Sequence, residues 1–147
     1  MSELVITSSQ VQGDVSVTVL HLSGHLHGNT GHQLLARARQ AYEDGSRYLL
    51  LDLSDLEILT GTGLRAIHSI FKLFTPKSDV EVMRKHEEPY KSPFVKLVCA
   101  KPEIYDVLKI AGFLQNLLIY NNMEDAINSF SKSPENWTIQ RSYARQI

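Results

Sequence analysis

Leu50-Leu51-Asp52-Leu53-Ser54-Asp55-Leu56-Glu57-Ile58-Leu59-Thr60-Gly61-Thr62-Gly63-Leu64 is the stretch on which the fold depends. It begins inside a near-continuous apolar run, Tyr48 to Leu53. Such a run suits a strand buried on both faces of a sheet, where neither face needs the polar alternation of a half-exposed strand. On this reading Asp52 ends the strand, and Ser54 to Leu59 form a connection in which Asp55 and Glu57 decorate a turn. After Gly63 the period changes. Leu64, Ala66, Ile67, Ile70, Phe71 and Phe74 mark one face of a helix, and Pro76 stops it.

The neighbouring segments follow the same alternation. Leu4 to Val11 is apolar-rich and ends at the turn signal Gly13-Asp14, and Val15 to Leu22 alternates with β-branched residues, so the two read as a hairpin. Gly24 to Gly28 reads as a loop. Asn29 or Thr30 is the expected cap of a helix carrying Leu34, Leu35, Ala38, Ala41 and Tyr42, closed by Gly45. Downstream come a buried strand, Val95 to Ala100, and a helix from Pro102 through Ile104, Val107, Leu108 and Ala111 to Gly112. A short strand, Leu117 to Tyr120, precedes a last helix capped by Asn122 and carrying Ala126, Ile127 and Phe130. The expected order is β-β-α-β-α-β-α-β-α, an α/β class with a mixed, mostly parallel sheet and right-handed crossovers.

At 147 residues the chain is sized for one domain with its own core. The expected domain spans 1–131, with a long charged loop at 75–93 and a polar tail at 132–147. In the loop Lys77, Arg84, Lys85 and Lys91 balance Asp79, Glu81, Glu87 and Glu88, which suits a solvated surface connection. The tail carries Trp137 and Tyr143. A formal net charge of -1 disfavours a nucleic-acid module, since phosphate affinity rests on clustered Lys and Arg. The lone Cys99 reads as a small buried apolar residue and excludes an internal disulfide or a Cys-based zinc site. No secretory leader and no run long enough to span a membrane is read, so a cytoplasmic protein without membrane insertion is expected.

Several stretches together resemble STAS domains, the family of bacterial anti-sigma-factor antagonists. The opening stretch resembles the family's strand ending in D-L-S, followed by a loop and then D-S-S-G-L or D-T-x-G-L at the start of a helix. Leu22-Ser23-Gly24-His25-Leu26-His27 resembles its L-x-G-E-L-D. Leu97 to Phe113 resembles its strand, helix and glycine close, and Met123-Glu124-Asp125-Ala126 resembles the start of its final helix. The resemblance covers about residues 4–130 in order. It implies a non-catalytic protein that docks on a protein partner, often a serine-kinase-type anti-sigma factor, under phosphorylation control, in transcription regulation by partner switching.

This chain departs from that pattern at the site itself. Aligned on Gly63-Leu64, the family's Asp falls on Thr60 and its phospho-acceptor falls on Gly61, which has no hydroxyl. The second Ser falls on Thr62, and the two acidic positions of G-E-L-D are His25 and His27. The resemblance therefore implies a module that binds its partner without phosphorylation at the usual position, or one in which Thr62 or Thr60 has become the acceptor. The expected partner surface comprises His25, His27, Thr60, Gly61, Thr62, Gly63, Leu64, Arg65, His68 and Ser69. It uses the side of the second helix opposite Leu64, Ile67 and Phe71, at a helix start that also favours anions. Gly61 and Gly63 are expected to let the chain turn into that helix.

Other readings are weaker. Gly61-Thr62-Gly63-Leu64-Arg65-Ala66 fits G-x-G-x-x-A, but with Ser54–Leu59 as a loop it does not directly follow a strand, as a dinucleotide fingerprint requires. His25 and His27 are expected to face the same side, with His32 nearby, yet the spacing matches no metal signature, and no metal or cofactor is expected. His21 and His68 read as structural residues, and His86 has no evident role. No nucleophile elbow or Walker loop is present, so no enzyme is expected. A STAS-like subunit of a membrane transport complex, or a nucleotide- or anion-sensing module, is the alternative function. The expected state is a monomer or weak homodimer.

Overall fold

A computed structural model of the chain describes residues 3–85, 90–112 and 115–130. Strands β1 (Leu4–Gln12) and β2 (Ser16–Leu26) form an antiparallel hairpin. Then follow α1 (Gly28–Glu43), β3 (Leu49–Leu59), α2 (Leu64–Phe74) and α3 (Lys77–Lys85). The chain continues through β4 (Val95–Val98), α4 (Pro102–Ile110), β5 (Ile119–Tyr120) and α5 (Met123–Asn128). The five strands lie in sequence order, β1-β2-β3-β4-β5, and every pair after the hairpin is parallel. The expected single α/β domain with a mixed, mostly parallel sheet is what the chain forms.

A sequential strand order with crossovers of one hand puts every crossover helix on the same side. One apolar layer accordingly joins Leu34 and Ala38 of α1, Ile67 and Phe71 of α2 and Leu108 of α4 to Leu22, Leu51, Leu53 and Leu97 of the sheet. The opposite face is covered at one end by α5, whose Ala126 packs, with Phe130 just beyond the helix, on Val17, Val19, Leu50, Val98 and Tyr120. Asn122 caps α5 as expected, its Oδ1 accepting the Asp125 N–H at 2.8 Å. Cys99 is buried directly after β4.

Three expectations need correction. First, the segment 75–93 is not all loop, because α3 occupies Lys77–Lys85, and the order is β-β-α-β-α-α-β-α-β-α. Lys, Glu, Met and Arg are good helix formers even without an apolar stripe, and Asp79 in the first turn complements the helix dipole. Pro76 offers its carbonyl to the Asp79 and Val80 N–H groups, and the Tyr90 hydroxyl donates to the Asp79 carboxylate. Second, β2 runs through Gly24-His25-Leu26 rather than ending at Leu22.

Third, β3 continues through Ser54–Leu59. Leu53, Leu56 and Leu59 all face the helix-side core although they lie three apart, because β3 takes up an extra residue against β2 at two irregularities in the register. A bulge adds one residue and returns the next side chain to the original face. The period of three therefore disguised a strand as a turn. The tail 132–147, with Trp137 and Tyr143, and His86 lie outside the described residues.

Candidate functional site

Because β2 and β3 are parallel and end together, with Leu26 beside Leu59, the helices that follow them start side by side. The two strand-to-helix connections form one surface. His27 is the N-cap of α1, and not Asn29 or Thr30. Its Nδ1 accepts the Asn29 N–H at 3.1 Å, while the Thr30 hydroxyl accepts the His27 N–H at 3.0 Å. These reciprocal bonds make a capping box that satisfies two otherwise unpaired backbone donors. The Thr30 hydroxyl in turn donates to the His25 carbonyl at 2.9 Å. With Nδ1 accepting, the proton of neutral His27 sits on Nε2, which faces the Glu3 carboxylate at 2.6 Å.

The second connection is tied to the first. The Thr60 N–H donates to the Leu26 carbonyl at 3.1 Å, and the Thr60 hydroxyl accepts the Gly63 N–H at 3.1 Å. Gly63, the N-cap of α2, must be glycine: a Cβ there would lie 2.4 Å from the Leu26 carbonyl oxygen. The helices also approach closely, since a Cβ on Gly31 would stand 3.3 Å from that of Ala66. Gly61 differs. Its φ is not positive, and a Cβ built on it meets nothing within 4 Å. Neither glycine is there for the turn itself, since Gly63 has an ordinary helical φ of -67° and is required only by the close approach of Leu26, while at Gly61 there is room for a side chain. The Thr60 and Thr62 hydroxyls lie 3.0 Å apart.

On α2, Leu64 is buried with Ile67 and Phe71, so among the expected partner residues its side chain serves the core. Gly63 is buried as well, and Ser69 is half-buried. Arg65, His68 and Lys72 form the exposed strip. Burial first, and then the Lys72 charge one turn on, hold the His68 imidazole below its ordinary value, so it is neutral at neutral pH. The strip therefore carries two fixed positive charges, and α2 contains no acidic residue.

Each of the two histidines has its own acidic partner. His25 reaches Glu57 on β3 at 3.4 Å, and His27 reaches Glu3 ahead of β1 at 2.6 Å, so they engage opposite neighbours of β2. Among the described residues no group of three His, Cys, Asp or Glu side chains is gathered to hold a metal. Glu3 and Glu57 were missed as partners because pairing across strands depends on register. The nearest signal was the run of alternating histidines on a strand flanked by acidic neighbours.

Since β3 runs to Leu59, the Gly61-Thr62-Gly63 motif follows a strand more directly than the sequence suggested. The sequential strand order nevertheless contains no reversal, hence no switch-point crevice of the kind dinucleotides occupy. A polar groove of about 800 Å³ between the C-terminal half of α1 and the β1–β2 hairpin, lined by Gln10, Thr18, Arg37, Asp44 and Arg47, lies at the far end of α1.

A family model described as the STAS domain matches residues 8–83, just over half of the chain. In structure the chain resembles an anti-sigma factor antagonist from Mycobacterium paratuberculosis, with a TM-score of 0.65 and 19% identity over 86% of this chain and 94% of that one. It also resembles the anti-sigma factor antagonist SpoIIAA in its unphosphorylated form, with a TM-score of 0.54 and 12% identity over 84% of this chain and 94% of that one. The phosphorylated form of the Bacillus cell fate determinant SpoIIAA gives a TM-score of 0.54 and 13% identity over 84% and 97%. At these identities the likeness is one of fold. Among curated proteins compared by sequence, none matches this chain. No helix of the described residues is long and apolar enough to cross a membrane.

Proposed function

This chain belongs to the STAS domain family, and on that premise we propose that it is a protein-binding module of the anti-sigma-factor-antagonist kind, whose docking surface does no catalysis. In this reading it docks on a serine-kinase-type anti-sigma factor or a similar signalling partner in the cytoplasm, as a monomer or weak homodimer. The docking surface is the junction of the β2–α1 and β3–α2 connections, continued along Arg65 and His68 of α2. Binding is constitutive rather than switched by phosphate at the usual position.

One observation carries the constitutive part. Gly61 stands where the family pattern has its acceptor hydroxyl, yet its φ is ordinary and the space around it is open. Nothing in the backbone requires glycine there, so the missing hydroxyl is a chemical feature of the surface rather than a steric one. Thr60 is a poor substitute, because its hydroxyl already holds the Gly63 N–H. Thr62 is the exposed alternative. The positive strip of Arg65 and Lys72 suits a partner presenting acidic groups.

The test is a pull-down from source-cell extract with wild type, Gly61→Asp and Arg65→Glu run in parallel, partners being identified by mass spectrometry. A kinase-like anti-sigma factor is expected with wild type and lost with both variants, each of which keeps the wild-type unfolding midpoint. Stoichiometric phosphate on Thr62 of the recovered protein would overturn the constitutive reading. Capture of a membrane transport complex by wild type would replace the signalling partner altogether.

A further inference from the structure

Among the described residues nothing but α5 covers the face of the sheet turned away from α1, α2 and α4, and beyond its reach three strands meet in a continuous relay. Pairing of Thr7 with His21 and of Ser9 with Val19 puts Ser9 one diagonal step from His21, and the parallel register puts His21 beside Asp52. His21 Nδ1 lies 2.9 Å from Asp52 Oδ2, and His21 Nε2 lies 3.1 Å from the Ser9 hydroxyl oxygen. The second carboxylate oxygen, Asp52 Oδ1, accepts the Ser54 N–H at 3.0 Å.

The chemistry of the three groups assigns the protons. An ionised carboxylate only accepts, so the imidazole proton lies on Nδ1, toward Asp52. The lone pair of Nε2 is then aimed at the Ser9 hydroxyl. Exposure grades in the same order: the Asp52 side chain is 13% exposed and that of His21 38%, while Ser9 is on the surface. The orienting group is sheltered, and the hydroxyl is reachable by a reagent. Nucleophile, base and orienter at hydrogen-bonding distances are the geometric requirement for an activated serine.

We propose that Ser9 is an activated nucleophile that accepts an acyl group from small activated esters, with His21 as its base and Asp52 as a positioning residue. In the first step Ser9 Oγ bonds to the ester carbonyl carbon while its proton passes to His21 Nε2. The tetrahedral adduct then expels the alcohol, which takes that proton from His21. Water, deprotonated by the same nitrogen, attacks the acyl-serine and releases the carboxylic acid, restoring the Ser9 hydroxyl and neutral His21. An exposed site on a sheet face suits donors with a good leaving group, because such esters depend least on a built oxyanion site. The relay lies on the face opposite the core of α2, and this inference does not rest on the docking reading.

The experiment uses the full chain and p-nitrophenyl acetate, following p-nitrophenolate release and locating the acetyl group by peptide mass spectrometry. Acetylation is expected on Ser9. It should be absent in Ser9→Ala and about 100-fold or more slower in His21→Gln, the usual scale of base assistance. The wild-type rate should rise with pH along a single ionisation that His21→Gln lacks and Asp52→Asn displaces, a readout that a purely structural polar ladder would not move. Acetyl groups confined to lysines, or Ser9 acetylated equally fast in His21→Gln, would overturn the proposal.

Discussion

On the side of α1, α2 and α4, the sheet presents aliphatic side chains from every strand, and three helices exclude water from them. On the other side, the strands carry Val17, Val19, Leu50 and Val98 at one end and Thr7, Ser9, His21 and Asp52 at the other. The difference follows from connectivity. Right-handed crossovers in sequential strand order commit every crossover helix to one face, so the second face receives only what the chain adds after β5. Among the described residues that addition is α5, which is 6 residues long and covers one end. The uncovered end has to be satisfied by water and cross-strand polar pairs. This contrast explains why residues two apart on β2, Val19 and His21, have opposite chemistry. It also locates the reactive groups of the sheet where the architecture leaves it bare.

The largest effect should come from breaking the covered face. Leu51 is fully buried between β3 and the helices, and Leu51→Ala should cost about 2–5 kcal/mol through lost transfer energy and the cavity left behind. Equilibrium urea unfolding measures it, and a cost like that of a surface substitution would deny that this face is the main core.

The end of the second face beneath α5 should respond to pH. Lys96 on β4 is fully buried, its ammonium donating to the Ser129 hydroxyl at 2.9 Å and the Ser129 carbonyl at 3.0 Å, and lying 4.6 Å from the Phe130 ring centre. Burial lowers its pKa from 10.5 to about 7. Below about 7 both the folded and the unfolded chain hold the proton, and folding bears the full cost of burying a charge. Between about 7 and 10.5 only the unfolded chain holds it, so stability rises with pH through that window, by at most about 1.4 kcal/mol per pH unit. Lys96→Met should remove this component. The stability of the variant relative to wild type, measured by urea unfolding across the window, should be greatest at its acid end and shrink steadily toward its alkaline end. Parallel curves for the two proteins would show that Lys96 stays charged.

The smallest effect belongs to the open end. Ser9→Ala should change stability by less than about 0.5 kcal/mol, since an exposed hydroxyl on an edge strand gives up its bond to water. A larger loss by thermal or urea unfolding would mean that the relay holds the hairpin to the sheet, and would blur the distinction between the two ends of that face.

Parts of this molecule were legible in the residues because they depend on neighbours in the chain. The Tyr48–Leu53 run, the apolar face of α2, the Asn122 cap and the alternation of strands with helices are local signals, and each element appears where they point. The resemblance carried by Thr60–Leu64 located the junction of the two connections for the same reason. The continuation of β3 was not legible, because two bulges convert a strand's period of two into steps of three. Nor was α3, whose polar sequence lacks the apolar stripe that marks a packed helix, although it gains its anchor from Tyr90, 11 residues beyond Asp79.

The sequence by itself determined the class of fold, the order of nearly all its elements, the leucines and valines of the core and the segment that opens the second helix. These follow from hydrophobic period, caps and turn residues, which act over a few positions. The tertiary structure decided which side chains meet. His27 became a helix cap held to Glu3, Gly63 became the point where a carbonyl passes too close for any Cβ, and Gly61 proved free of any such demand. Ser9, His21 and Asp52 came together from three strands. Such pairings depend on strand register, and register is set by the packing of the whole sheet rather than by any one segment of the chain.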